Sequence, residues 1–126
     1  MNLMIVDDNQ KMRQMIRNLF SDMFDSMTEC SSGEEAIDIY EEILPNWVLM
    51  DIKMKNVNGI SATRQIIKKH PAAKIIIITQ YDDSILKKEA INAGAVHFCN
   101  KIDISIIRDF ILNKSNSMIN YYGAKE

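Results

Sequence analysis

Five short segments with strand character alternate along this chain with five segments of helical periodicity. The strand candidates are residues 3–6, 26–29, 47–51, 75–78 and 95–99. Residues 3–6, 47–50 and 75–78 are continuously apolar, as expected of strands that are buried on both faces of a parallel sheet. The strict alternation with short connections predicts an α/β fold built on a five-stranded, doubly wound parallel sheet.

Several polar residues mark where the predicted helices begin and end. Ser32 starts a pattern that fits a capping box, and Asp82 or Asp83 can cap the fourth helix. Asp103 is predicted to cap the last helix, and Gly94 to end the fourth. Right-handed crossovers between such units leave few topologies, among them the flavodoxin-like strand order 2-1-3-4-5.

Length and composition restrict the classes of protein to consider. The chain has 126 residues, of which 47% are hydrophobic and 25% charged, and this balance suits one globular domain. Its net charge of -2 argues against a module that binds nucleic acid by neutralising phosphates. No apolar run is long enough to span a membrane, and Cys30 and Cys99 form no disulfide or metal pattern. We therefore expect a cytoplasmic protein with one domain over residues 1–122 and a short tail, 123–126.

Polar side chains follow the predicted strands at the points where the strands end. Asp7 and Asp8 come after the first strand, Asp51 ends the third, Thr79 follows the fourth and Lys101 lies just past the fifth. Because parallel strands place their carboxyl ends at one edge of a sheet, these groups are expected to meet there. Carboxylates about 5 Å apart repel by ~3 kcal/mol per pair at an effective dielectric of ~20, so the cluster favours a bound cation. Oxygen ligands favour Mg²⁺, and a nearby lysine and hydroxyl suit phosphoryl transfer to a carboxylate.

The combination resembles the receiver domain of response regulators in two-component signalling, over residues 3 to about 112. The similarity rests on the acidic pair, the three other strand ends and two loop residues: Asp7-Asp8, Asp51, Thr79, Lys101, Met54 and Gly59. The segments 59–64 and 81–83 are similar to receivers of the DNA-binding helix-turn-helix regulators. Three positions depart from the family: Lys55 and Ile102 stand where proline is usual, and Gln80 stands where a small residue is usual. Ile102 also removes the main reason for a cis peptide bond next to Lys101.

The resemblance implies a role for each carboxylate. Asp51 would accept a phosphoryl group from a phosphohistidine on a histidine kinase or a phosphotransfer protein. Asp8, Asp51 and the backbone carbonyl of Lys53 would bind Mg²⁺ directly, while Asp7 would act through a water. The chain would then be a phosphoacceptor switch rather than an enzyme, limited to self-catalysed phosphotransfer and autodephosphorylation.

The resemblance also implies how phosphorylation would change the protein. Lys101 would pair with the phosphoryl oxygens, and Thr79 would move to hydrogen-bond one of them. Phe98, three residues before Lys101, would turn inward and reshape the surface formed by the fourth helix, fifth strand and fifth helix. The expected output is contact with a downstream protein or a second copy of the chain, with no direct contact to nucleic acid or membrane.

Several alternatives stay open at this point. Asp7 and Asp8 could instead cap the first helix, and Phe98 could be an ordinary core residue. The chain could be a free-standing switch, or the receiver of a DNA-binding transcriptional regulator. A Mg²⁺-dependent phosphatase with an aspartyl nucleophile is a further possible class of protein. Such an enzyme requires a second carboxylate two residues after the nucleophile, and Lys53 stands at that position.

Overall fold

The computed structural model describes residues 1–80 and 83–119 of the chain. In these ranges five strands alternate with five helices, as predicted. The elements are β1 (Asn2–Val6), α1 (Gln10–Phe20), β2 (Ser26–Cys30), α2 (Gly33–Ile43), β3 (Trp47–Asp51), α3 (Gly59–Lys69), β4 (Ile75–Thr79), α4 (Ser84–Asn92), β5 (His97–Asn100) and α5 (Ile104–Ile119). The predicted domain boundary at 122, the tail 123–126 and the candidate cap Asp82 lie outside the described residues.

The strands form one parallel sheet in the order β2-β1-β3-β4-β5, which confirms the predicted topology. β1 and β3 lie side by side, with Val6 opposite Met50. On the other side of β3, Asp51 lies opposite Ile78, and Thr79 is the next residue of β4. The carboxyl ends of these strands therefore reach the same edge of the sheet.

Helices cover both faces of the sheet, which explains why its central strands are continuously apolar. One face packs against α2, α3 and α4, and the other against α1 and α5. All residues of β3 and β4 are buried, and their first charged or hydroxyl side chains come at their last positions, Asp51 and Thr79. The polar groups of these strands are thus confined to one edge. Within the described ranges, no helix has both the length and the apolar character that a membrane span requires.

Side-chain caps determine where the helices begin. Asn9 caps α1 with its side-chain oxygen. Ser32 accepts the backbone N–H of Glu35 at 3.1 Å, as predicted, but the Glu35 carboxylate accepts the N–H of Ser31 at 2.7 Å rather than that of Ser32. Asp83 caps α4, which confirms one of the two predicted candidates.

Two element boundaries differ from the prediction by a few residues. The apolar spacing of the first helix continues in the sequence to Met23, but α1 ends at Phe20. The Met23 N–H donates to the Phe20 carbonyl at 3.0 Å in a separate turn. β5 begins at His97 rather than at residue 95, although the Val96 N–H already donates to the Ile75 carbonyl at 2.9 Å. In both cases an apolar residue beyond the regular element continued the pattern from which the boundary was predicted.

The predicted cap of the last helix, Asp103, lies inside a short turn that precedes the helix. A short 3-10 turn, Lys101–Asp103, leads directly into the helix. The Asn100 side chain caps this turn by accepting the N–H of Ile102 at 2.9 Å, so the cap lies three positions before Asp103. As expected from Ile102, the described residues contain no cis peptide bond.

Gly59, the first residue of α3, packs directly against the end of β3. Its N–H donates to the Ile52 carbonyl at 2.9 Å, and a Cβ atom on it would lie 1.8 Å from the carbonyl oxygen of Asp51. We expect Gly59→Ala to lower the free energy of unfolding by ~3 kcal/mol, because the backbone would have to move. Urea unfolding measures the loss, and Ser61→Ala in the same helical turn serves as the control, with a change of ~0.5 kcal/mol or less. A Gly59→Ala protein as stable as the parent would contradict this close approach.

Candidate functional site

The predicted site residues come together at the carboxyl edge of the sheet. Asp7 and Asp8 follow β1, and Asp51 ends β3. One carboxylate oxygen of each lies within 4.8 Å of one oxygen of each of the others. The Lys101 Nζ atom lies 2.9 Å from Asp7 Oδ2 and 3.2 Å from Asp51 Oδ1. The structure therefore gathers these four predicted residues into one cluster.

Asp7 is fully buried, and backbone contacts hold it in position. Its N–H donates to the Cys30 carbonyl at 3.0 Å, and its Oδ1 accepts the N–H of Asn9 at 2.9 Å. Its other oxygen, Oδ2, contacts Lys101. Because Asn9 is the residue that caps α1, the alternative in which Asp7 and Asp8 serve as helix caps is wrong.

Two arginines of α1 support the segment that follows β1. Arg13 Nη1 donates to the carbonyl oxygen of Asp7 at 2.7 Å, and its Nε donates to Glu29 at 2.9 Å. Arg17 donates to the other oxygen of Glu29 at 2.9 Å. Burial alone would raise the pKa of Glu29, but the two guanidinium groups keep it below its ordinary value. Two arginines four residues apart on one helix are the signal of this support in the sequence, and no role was predicted for them.

Asp51 lies at the end of β3 in surroundings that disfavour its negative charge. Its side chain is 8% exposed. Burial and the neighbouring carboxylate of Asp7 raise the pKa of Asp51 to about 6, against the opposing effect of Lys101. An added cation or a proton stabilises a carboxylate in such surroundings, since either one reduces the desolvated negative charge.

Lys101 supplies the positive charge that the cluster contacts directly. Burial would lower the pKa of Lys101, but hydrogen bonds and charge interactions with Asp7 and Asp51 hold the pKa above its ordinary value. The ammonium therefore stays protonated. One ammonium against three carboxylates leaves an excess of two negative charges within the cluster of Asp7, Asp8, Asp51 and Lys101.

The other predicted residues lie around the cluster. Thr79 ends β4 and is 1% exposed, and Lys53 is exposed in the loop after β3. Phe98 on β5 is partly buried, packs against the core on the α2–α3–α4 face and lines a cavity of about 350 Å³. Thr79 and Lys53 therefore flank the carboxylates on the side of β4 and of the β3–α3 loop.

The carboxylate cluster suits a divalent cation that prefers oxygen ligands. Among the residues that the structure describes, Asp7, Asp8 and Asp51 are the group positioned to hold an ion. Mg²⁺ keeps several of its waters in proteins and needs only one or two carboxylates. Asp8 is exposed while the other two are buried, so a hydrated ion can approach from the side of Asp8. The residues present therefore fit Mg²⁺.

Sequence comparison identifies the family. The family model described as the response regulator receiver domain matches residues 3–109. The chemotaxis protein CheY of Listeria monocytogenes is 37% identical over 102 residues, which cover 80% of this chain and 86% of that protein. CheY of Thermotoga maritima is 38% identical over 100 residues, covering 79% and 83%. The chain belongs to the response regulator receiver domain family, and its predicted resemblance to that family is confirmed.

Solved structures show the same fold. A LuxR-family response regulator from Aurantimonas sp. SI85-9A1 has a TM-score of 0.80 at 28% identity, covering 90% of this chain and 85% of that one. CheY of Borrelia burgdorferi, in a complex with CheX, BeF₃ and Mg²⁺, has a TM-score of 0.78 at 25% identity, covering 86% and 88%. Receiver domains are phosphorelay signalling switches that bind Mg²⁺ at an acidic pocket and interact with histidine kinases and downstream targets.

These findings bear on the alternatives that the sequence left open. The phosphatase alternative is not favoured, because the matching relatives are response regulators and position 53 is lysine. Transcriptional regulators also match, such as DegU of Brevibacillus brevis at 30% identity over 95 residues, 74% of this chain and 40% of that protein. Since CheY proteins and transcriptional regulators both match, the comparisons show the family and do not favour the DNA-binding subfamily.

Proposed function

We propose that Asp51 accepts a phosphoryl group from a phosphohistidine on a histidine kinase or a phosphotransfer protein. The observation that carries this proposal is the cluster itself. A buried carboxylate at the end of β3 lies 3.2 Å from the Lys101 ammonium and beside the carboxylates of Asp7 and Asp8. A carboxylate nucleophile, a cation for the phosphoryl oxygens and oxygen ligands for Mg²⁺ are the parts that such a transfer needs.

The transfer exchanges one bond for another at phosphorus. An Asp51 oxygen bonds to phosphorus while the bond to the donor's imidazole nitrogen breaks, and that nitrogen keeps the electron pair. Lys101 pairs with the phosphoryl oxygens, where the negative charge is concentrated. Mg²⁺, when bound, supplies further neutralisation of that charge. Its proposed direct ligands are Asp8, Asp51 and the backbone carbonyl of Lys53. Asp7 acts through a water.

Thr79 and Phe98 are the proposed switch residues. The Thr79 hydroxyl turns to a phosphoryl oxygen, and Phe98 turns inward as it does so. Phe98 is partly buried and lines a cavity whose other walls come from α4, β5 and the start of α5, so a change of its rotamer alters that surface. A downstream protein, or a second copy of the chain, would bind to this α4–β5–α5 surface.

The proposed setting is the cytoplasm, and the proposed activity is that of a switch rather than an enzyme. Both cysteines, Cys30 and Cys99, are free and buried, which suits a reducing compartment. Burial raises the pKa of the Cys30 thiol to about 12, so it is not a nucleophile at neutral pH. The chemistry of the chain is then confined to self-catalysed phosphotransfer to Asp51 and loss of that phosphate.

Asp51→Asn tests this proposal directly. In the presence of acetyl phosphate and Mg²⁺, the wild-type protein should gain the mass of one phosphoryl group, and Asp51→Asn should gain none, because an amide is not a nucleophile here. Intact-protein mass spectrometry makes the measurement. Asp38→Asn, which changes an exposed aspartate of α2, should be phosphorylated as the wild type is. A phosphorylated Asp51→Asn protein, or a wild type that stays unmodified, would refute the assignment.

A further inference from the structure

A hollow opens beside the carboxylate cluster, and the transfer described above uses only the part of its lining formed by Asp8 and Lys53. Its volume is about 480 Å³, and it lies between the β3–α3 loop and α4. The lining runs from Asp8 of the cluster, along Lys53 and Lys55 of the loop, to Leu86 of α4. The hollow therefore connects the candidate metal site to a wall that carries two lysines.

The hollow lies on the open side of the site. Asp7, Asp51 and Thr79 are buried, whereas Asp8, the cluster residue that lines the hollow, is exposed. In phosphoryl transfer the attacking and leaving atoms are roughly in line through phosphorus, so the leaving group lies on the side away from Asp51. Since the buried side is filled by protein, a leaving group has to depart on the open side, where the hollow adjoins Asp8.

The geometry points to Lys55 as a residue that selects small phosphodonors by the charge of their leaving group. This inference rests on the proposed role of Asp51 as the phosphoacceptor. A carboxylate released into the hollow meets the positive side chain of Lys55 on its wall, whereas a leaving nitrogen that is still an ammonium is repelled by the same side chain. Lys55 is exposed, so its effect on the rate is modest, as for other solvent-screened charges.

Two kinds of phosphodonor differ in what leaves. With an acyl phosphate, an Asp51 oxygen bonds to phosphorus, the bond from phosphorus to the acyl oxygen breaks, and a carboxylate leaves with the electron pair and without a proton. With phosphoramidate, whose nitrogen already carries its protons as an ammonium, the bond from phosphorus to nitrogen breaks and neutral ammonia leaves. The charge on the departing atom falls by one unit in both reactions, but it ends negative in the first and begins positive in the second. While the bond to phosphorus is breaking, Lys55 therefore attracts the acyl oxygen and repels the phosphoramidate nitrogen.

The test compares the rates with the two donors in the full chain with Mg²⁺. Wild type, Lys55→Gln and Lys55→Glu would be phosphorylated with acetyl phosphate and with phosphoramidate, and intact mass would give the rate constants. The ratio of the acetyl phosphate constant to the phosphoramidate constant should fall about threefold in Lys55→Gln and about tenfold in Lys55→Glu. Lys68→Gln removes the same charge from an exposed site on α3 outside the hollow and should keep the wild-type ratio.

The outcomes separate this inference from the function on which it rests. A ratio that stays at the wild-type value in both Lys55 variants would overturn the role of Lys55 while leaving Asp51 as the phosphoacceptor. Slowing by the same factor with both donors is one way to obtain that unchanged ratio. A wild type that takes a phosphoryl group from neither donor would refute the role of Asp51, and the inference with it. Because Lys55 is exposed in a loop, both variants should fold, and circular dichroism would verify this.

Discussion

Replacing Lys101 with methionine is expected to lower the free energy of unfolding by about 3 kcal/mol in metal-free buffer at neutral pH. The Lys101 ammonium contacts the buried carboxylates of Asp7 and Asp51 at 2.9 and 3.2 Å. Removing one partner of a buried ion pair is strongly destabilising, because the remaining charge stays desolvated without compensation. Proton uptake by the two carboxylates limits the loss, so the effect should shrink as the pH is lowered.

Urea unfolding in the presence of a chelator would measure this effect. Added Mg²⁺ should stabilise Lys101→Met more than the wild type, because the ion then meets a cluster with one more uncompensated negative charge. Lys68→Met, at an exposed position of α3, is the matched control and should change the stability by no more than ~0.5 kcal/mol. Equal stabilities of Lys101→Met and wild type in chelator would show that the ion pairs do not hold the cluster together.

The metal-free protein should lose stability as the pH rises through the range in which Asp51 ionises. The pKa of Asp51 is about 6 in the folded chain and 3.8 in a model peptide, so the folded state binds the proton more tightly. The raised pKa of Asp51 therefore stabilises the folded state fully below the pKa of the unfolded chain. This stabilisation is lost as the pH rises to the folded pKa and beyond. The free energy of unfolding falls by about 3 kcal/mol in all, of which about 2 kcal/mol is lost between about pH 4.5 and about pH 7.5.

Other groups titrate nearby, so the difference between wild type and Asp51→Asn is the quantity to measure. Burial and Lys87 lower the pKa of His97, which destabilises the fold as the pH falls and opposes the effect of Asp51. The lowered pKa of Glu29 changes the free energy of unfolding at more acidic pH. Asp51→Asn retains both groups, so the difference between the two unfolding free energies isolates Asp51. A difference that stays constant from about pH 4.5 to about pH 7.5 would contradict the raised pKa of Asp51.

Local sequence patterns were sufficient to predict the fold and the place of the site. The apolar runs 47–50 and 75–78 fit strands that are buried on both faces, and each ends at one polar residue, Asp51 or Thr79. A parallel sheet places all such ends at one edge, so the meeting of Asp7, Asp51 and Lys101 follows from the alternation of strands and helices. The order of strands and helices along the chain is enough to predict this meeting, without any distances.

The sequence by itself therefore determined the sheet, the edge that carries the site and the residue types gathered there. Only the tertiary structure decided how these groups pair and how they are charged. Asn9 caps α1 rather than Asp7 or Asp8, Arg13 reaches Glu29 because β2 lies beside β1, and the pKa of Asp51 depends on its depth and its neighbours. The Arg13–Glu29 pair and the neighbours of Asp51 join residues that are far apart in the chain, and their distances depend on strand order and packing, which local patterns do not encode.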